Sequence, residues 1–173
     1  MKFGGSRKDS TKGSFPLVFF SALCYNCSDS RKYSQKGMKS MKLLAIDGNS
    51  ILNRAYYGIR PLSTSKGLPT NALYGFLNIL LKNIEEEAPD KICVAFDRKE
   101  KTYRNDLFEG YKANRTGMPD DLAQQLPYAK KLLDALQIAH IEKPGLEADD
   151  IIGILSEDCS RSGDSCVIVT GDR

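Results

Sequence analysis

The sequence predicts an α/β protein: a mainly parallel sheet with helices on both faces, starting at residue 41. Three observations carry that expectation. Short apolar runs with strand character recur at residues 42–46, 91–96, 138–142 and 166–169. Longer segments with helical spacing lie between them, and Pro, Gly and Ser mark the joints. Strands alternating with helices are the signature of parallel pairing, because each return to the same sheet edge needs a crossover.

The elements follow in order. Met41 opens the first strand, MKLLAID. Residues 71–87 (NALYGFLNILLKNIEEE) form a helix with Leu73, Phe76, Leu77, Leu80, Leu81 and Ile84 on one face. Pro89 and Asp90 stop it before the second strand. Pro119 stands near the start of a helix running to about residue 136, with Asp120 and Asp121 suited to its positive end. A short third strand follows. The next helix runs from Glu147 to about residue 161 and is closed by Ser162 and Gly163. The fourth strand is broken by Thr170-Gly171-Asp172. No internal repeat is visible.

Residues 1–40 differ from the rest and are expected to be a disordered or non-native extension ahead of a domain at 41–173. They hold eight serines, eight Lys/Arg and only two acids, a net charge of +6. Residues 41–173 carry −3, so the basic balance of the chain is no argument for nucleic-acid binding. A signal peptide, a Ser-rich transit peptide and translation from an upstream start all fit residues 1–40. The third is preferred, since Lys36-Gly37 can be encoded by AAAGGA, a ribosome-binding sequence suitably placed before Met41.

Composition sets further limits. With 41% hydrophobic and 27% charged residues the chain reads as an ordinary globular protein. Its longest apolar stretch, residues 15–25 (FPLVFFSALCY), is shorter than the roughly 18 residues a membrane helix needs. Cys93 and Cys166 lie in strand-like runs and read as core residues. Cys24 and Cys27 form a lone CxxC, and His140 is the single histidine, so a zinc site is not expected. The five cysteines read as reduced thiols of a cytoplasmic protein.

The acids are the informative residues. Asp47 follows strand one, Asp97 follows strand two, Glu147, Asp149 and Asp150 open the helix after strand three, and Asp172 follows strand four. Singly, each is explained as a helix cap, a dipole partner or a turn residue. Jointly, a parallel sheet brings all six to the edge where ligands bind. Crowded carboxylates repel, and divalent cations make such a cluster tolerable. All-oxygen ligands suit Mg²⁺ or Mn²⁺. Six acids exceed the usual need of one ion, which points to two ions roughly 4 Å apart and to phosphodiester hydrolysis. Two ions would bring residues 41–173 from −3 to about +1, easing approach of a polyanion.

A second stretch, residues 98–115 (RKEKTYRNDLFEGYKANR), interleaves six basic residues with Tyr103, Phe108 and Tyr111 directly after Asp97. Such a pattern holds phosphates and stacks frayed bases, or is simply a solvated charged surface.

The motifs IDGNSILNRAYYG, TNALYGF, VAFD, TYRNDLFEGYKANR, GLEADDIIG and VIVTGDR resemble, in order and spacing, the 5′→3′ exonuclease domain of bacterial DNA polymerase I. That domain belongs to the flap endonuclease group of PIN-like nucleases. The resemblance covers residues 41–173. It implies a PIN-like (Rossmann-like) three-layer α/β fold and a two-metal 5′→3′ exonuclease with Mg²⁺ or Mn²⁺. Asp47, Asp97, Glu147, Asp149, Asp150 and Asp172 match family metal ligands. Lys112 and Arg115 match basic residues at the scissile phosphate, Tyr111 lies near the displaced end, and Arg104 matches a further DNA contact. The implied partner is DNA with a 5′ flap or primer-template junction, with a polymerase domain in the same protein, and the implied location is the cytoplasm at the nucleoid. The family continues G-D-x-D where this sequence stops at Arg173, so the expectation is a domain truncated at its C-terminus with impaired turnover. The alternative is a non-catalytic DNA-binding remnant. A PIN-like ribonuclease fits the motifs less well, and DGNS after strand one is not the G-x-G-x-x-G of a dinucleotide site.

Overall fold

The first strand, β1 (Lys42–Asp47), is buried from Leu43 onward, which explains its near-continuous apolar sequence. It is an inner strand of a computed structural model that describes residues 40–98 and 117–171. The described residues all fall in the unit Gln35–Arg173. Expectations for residues 1–39, for 99–116 and for 172–173 lie outside them.

The chain continues through α1 (Gly48–Gly58), α2 (Asn71–Glu87), β2 (Lys91–Ala95), α3 (Asp120–Ala135), β3 (Ala139–Ile141), α4 (Ala148–Ser162) and β4 (Ser165–Val169). Among the described residues the strands form one sheet in the order β3-β2-β1-β4, with every pair parallel. Asp90 and Asp164 pin the starts of β2 and β4 beside β1. The Lys42 N–H donates to Asp90 Oδ2 at 2.8 Å, and the Met41 N–H donates to Asp164 Oδ1 at 2.9 Å.

This order makes the layers. The steps β1→β2 and β2→β3 move one way across the sheet, and β3→β4 moves back past both. Crossovers of one hand then place their helices on opposite faces. Packing agrees with this. Leu44, Ile46, Val94 and Phe96 alternate to one side and join Ile51, Leu52, Phe76, Leu80, Leu122 and Leu133 in a single core. The α4 helix packs on β1, β2 and β4, burying Ile151, Ile152, Leu155 and Cys159. The fold is a three-layer α/β arrangement.

Two features depart from the sequence reading. Helix α1 occupies residues to which the sequence reading assigned no element. Its apolar side is short, with Ile51, Leu52 and Ala55, and it begins directly at the strand end without a spacer. Helix α2 has the expected bounds, and Phe76, Leu80, Leu73 and Ile84 face the core as expected, but its buried side also takes in Ala72 and Gly75, while Leu81 is 49% exposed. The cause is a close approach of α1. A Cβ on Gly75 would lie 2.7 Å from both Ala55 Cβ and Ile59 Cδ1. Small residues make this contact, so large apolar side chains alone did not report that side of the helix.

A buried polar bridge joins the three helices on that side. Gln125, 1% exposed, donates to Asn71 Oδ1 at 3.1 Å and accepts from the Leu73 N–H at 3.0 Å. Asn71 in turn donates to the Tyr56 carbonyl at 3.0 Å. Gln125→Leu leaves the Leu73 amide and the Asn71 carbonyl oxygen without these partners. The expected cost is about 2 kcal/mol, read as a lower urea midpoint with unchanged slope.

Among the described residues no helix is long and apolar enough to cross a membrane.

Candidate metal and nucleic-acid site

Because every described strand runs the same way, residues following each strand meet at one edge. The strand order reverses between β1 and β4, so the crevice of an open α/β sheet lies at the ends of those two strands.

Asp47 sits in that crevice as the last residue of β1 and the cap of α1. It is 6% exposed, and its Oδ1 accepts the Ser50 N–H at 2.9 Å. Asp97 follows β2. Its own N–H donates to Asn49 Oδ1 at 3.1 Å, and its Oδ1 accepts the Ala148 N–H at 2.7 Å. Asp97 is thereby tied to the first turn of α4. There Glu147, 8% exposed, and Asp150 form a capping box, in which the Glu147 N–H donates to Asp150 Oδ2 at 3.1 Å. Asp149, one position before Asp150, is exposed. At the end of β4 the Gly171 N–H donates to Ser50 Oγ at 2.9 Å.

The structure therefore brings Asp97 to the Glu147–Asp150 turn, and brings Asp47 to the exit of β4. Asp172, Arg104, Tyr111, Lys112 and Arg115 lie outside the described residues. Backbone N–H groups and helix N-termini face the carboxylates, which partly offsets their mutual repulsion.

Among the described residues no three His, Cys, Asp or Glu side chains are gathered as one ligand group. The donors at this edge still fit a hard cation. They are carboxylates from separate strands, two of them buried, with no imidazole or thiol among them. Mg²⁺ commonly takes only one or two protein carboxylates and keeps several waters. Asp47, Asp97, Glu147 and Asp150 are the residues that would hold such an ion.

Sequence reasoning missed Gly48, Asn49 and Ser50 as parts of this site. A Cβ on Gly48 would lie 2.4–2.8 Å from three carbons of the Phe96 ring. Glycine thus lets that ring pack under the strand end next to Asp97. The signal was present as two polar residues in the first turn after a capping aspartate, but their partners are distant in sequence.

The thiols carry a separate consequence. Cys159 is buried and its pKa is raised to about 11, first by burial and then by the nearby Cys166 and Asp164. A folded-state pKa above the unfolded one favours the fold while the thiol is protonated. That contribution is present below about pH 9 and is lost as pH rises toward 11. Urea midpoints should fall across this window, and Cys159→Ala should flatten the fall.

Residues 42–173 match the family described as the 5′-3′ exonuclease, N-terminal resolvase-like domain. The chain belongs to this family. Relatives agree. DNA polymerase I of Caldicellulosiruptor bescii is 50% identical over 133 residues, covering 77% of this chain and 16% of that protein. DNA polymerase I of Bacillus subtilis is 42% identical over 132 residues, covering 76% and 15%. The 5′-3′ exonuclease of Aquifex aeolicus is 42% identical over 136 residues, covering 79% and 46%. The chain thus spans less than half the length of these family members. Among solved structures, a T5 5′-exonuclease with bound divalent zinc ions matches with a TM-score of 0.55 at 18% identity, over 76% of this chain and 49% of that one. A bacteriophage T5 flap endonuclease in complex with DNA and metal ions matches at 0.53 and 17%, over 76% and 49%. These two show the family fold.

Proposed function

We propose that this chain is the metal-bearing part of a 5′→3′ exonuclease of the DNA polymerase I type, hydrolysing phosphodiesters in 5′ flaps and RNA primers during replication and repair. The observation that carries this reading is the placement of Asp47, Asp97, Glu147 and Asp150 along one sheet edge in a member of the exonuclease family. Mg²⁺ or Mn²⁺, as two ions, would be held by these acids together with Asp149 and Asp172. When bound, such ions supply an activated water and stabilise the leaving oxygen. Arg104, Tyr111, Lys112 and Arg115 contact the DNA, with Lys112 and Arg115 at the scissile phosphate. In full-length members of the family a polymerase domain shares the chain, and the setting is the cytoplasm at the nucleoid.

A 5′-labelled flap incubated with Mg²⁺ tests this. Weak cleavage that EDTA abolishes is the expected result. Cleavage that persists in EDTA overturns the metal reading.

A second reading is a DNA-binding part without turnover. It is favoured by the lack of a three-carboxylate ligand group among the described residues. Flap binding without cleavage would support it. In either reading, Lys112→Ala with Arg115→Ala should lower the slope of log affinity against log salt by roughly 2. An unchanged slope would make the stretch a solvated surface.

A further inference from the structure

We infer that Asn49 and Ser50, in the first turn of α1, are positioning residues that set how the carboxylates of separate strands stand relative to one another. The inference rests on the metal reading above and goes beyond it, because neither side chain is a carboxylate or belongs to the basic stretch.

The two residues reach in opposite directions. Asn49 Oδ1 accepts the Asp97 N–H at 3.1 Å, holding the loop after β2. Ser50 Oγ accepts the Gly171 N–H at 2.9 Å, holding the backbone after β4. Thr170 Oγ1 lies 3.5 Å from the same Ser50 oxygen. Between them, the Ser50 N–H donates to Asp47 Oδ1 at 2.9 Å. A Cβ on Gly171 would lie 2.8 Å from Ser50 Oγ, so the two segments are in close contact. The first arm extends further, because Asp97 Oδ1 holds the Ala148 N–H beside Glu147. One helical turn thus links backbone or side chains from β1, β2, the start of α4 and the exit of β4.

These bonds go mostly to backbone amides next to acids, not to the acids' outward oxygens. Their loss should therefore change the spacing of the carboxylates more than their number. Partners one step removed from an ion commonly change its affinity by about 10- to 100-fold.

Mn²⁺ titrations followed by melting temperature, on the full chain, test this. Asn49→Ala and Ser50→Ala should each raise the Mn²⁺ midpoint about tenfold, and Ser50→Thr, which keeps the hydroxyl, should stay near wild type. A role in stability alone would lower the melting temperature without metal and leave the Mn²⁺ midpoint unmoved. That outcome overturns the inference while leaving the metal reading intact. A wild-type chain that folds but does not respond to Mn²⁺ overturns both. The two alanine variants act on separate arms, so Ser50→Ala decides the matter if Asn49→Ala fails to fold.

Discussion

Asp97→Ala should reduce Mg²⁺-dependent cleavage of a 5′ flap by a thousandfold or more. Asp97 carries two duties at once. Its Oδ1 fixes the Ala148 N–H at the start of α4, and its charge contributes to the edge where Asp47 and Glu147 are buried. Alanine removes both, leaving the Ala148 amide without this acceptor and the edge without one of its carboxylates. Loss of electrostatic support for a reacting oxygen raises the barrier by several kcal/mol, and about 4 kcal/mol corresponds to a thousandfold in rate. Asp97→Asn separates the duties, because the amide oxygen still accepts from Ala148 but the charge is gone. The Asn variant should melt close to the wild type and lose activity like the Ala variant. If Asn retains wild-type cleavage, Asp97 serves the fold and not the chemistry.

Gly48→Val should lower stability by about 3 kcal/mol, the upper range for overpacking a core. The Phe96 ring that its Cβ would meet is fully buried and has Leu44, Ile46 and Val94 among its core companions, so it has little room to retreat. For a protein of this size the melting temperature should drop by roughly 10 °C. Gly48→Ala should act in the same direction with smaller size. Adding Phe96→Leu should recover part of the loss, a coupling that a thermal double-mutant cycle measures directly. Additive losses would show that the ring is not the obstacle.

Much of this architecture was legible because the local signals agreed. Helix α2 has the bounds its pattern gave, since it stops at Ala88, whose backbone takes the left-handed form, just before Pro89. The strands stood out because β1 and β2 are apolar in consecutive positions, as strands covered on both faces are. Asp47, Asp97, Glu147 and Asp150 could be placed at one sheet edge from parallel order alone. What stayed hidden was set by tertiary contact. The side of α2 that meets α1 depends on Gly75 meeting Ala55, two residues with almost no hydrophobic signal. Helix α1 begins where a strand ends, so Asp47 reads equally well as a turn residue and as a cap. The brackets from Asn49 and Ser50 join residues 48 and 121 positions apart, and no periodic pattern reports such pairs.

The central place of β1 has a consequence for synthesis on the ribosome. One side of β1 can be satisfied early, since Lys42 meets Asp90 across 48 residues. The other side waits for a segment 123 residues away, where Asp164 receives the Met41 amide. At about 5–20 residues per second, that delay is on the order of ten seconds. Throughout it, an apolar strand presents an open row of backbone donors and acceptors, the kind of edge that pairs with other chains. The crevice beside Asp47 forms only when β4 arrives to close that row, so the last pairing to form in this sheet is also the one that completes its site.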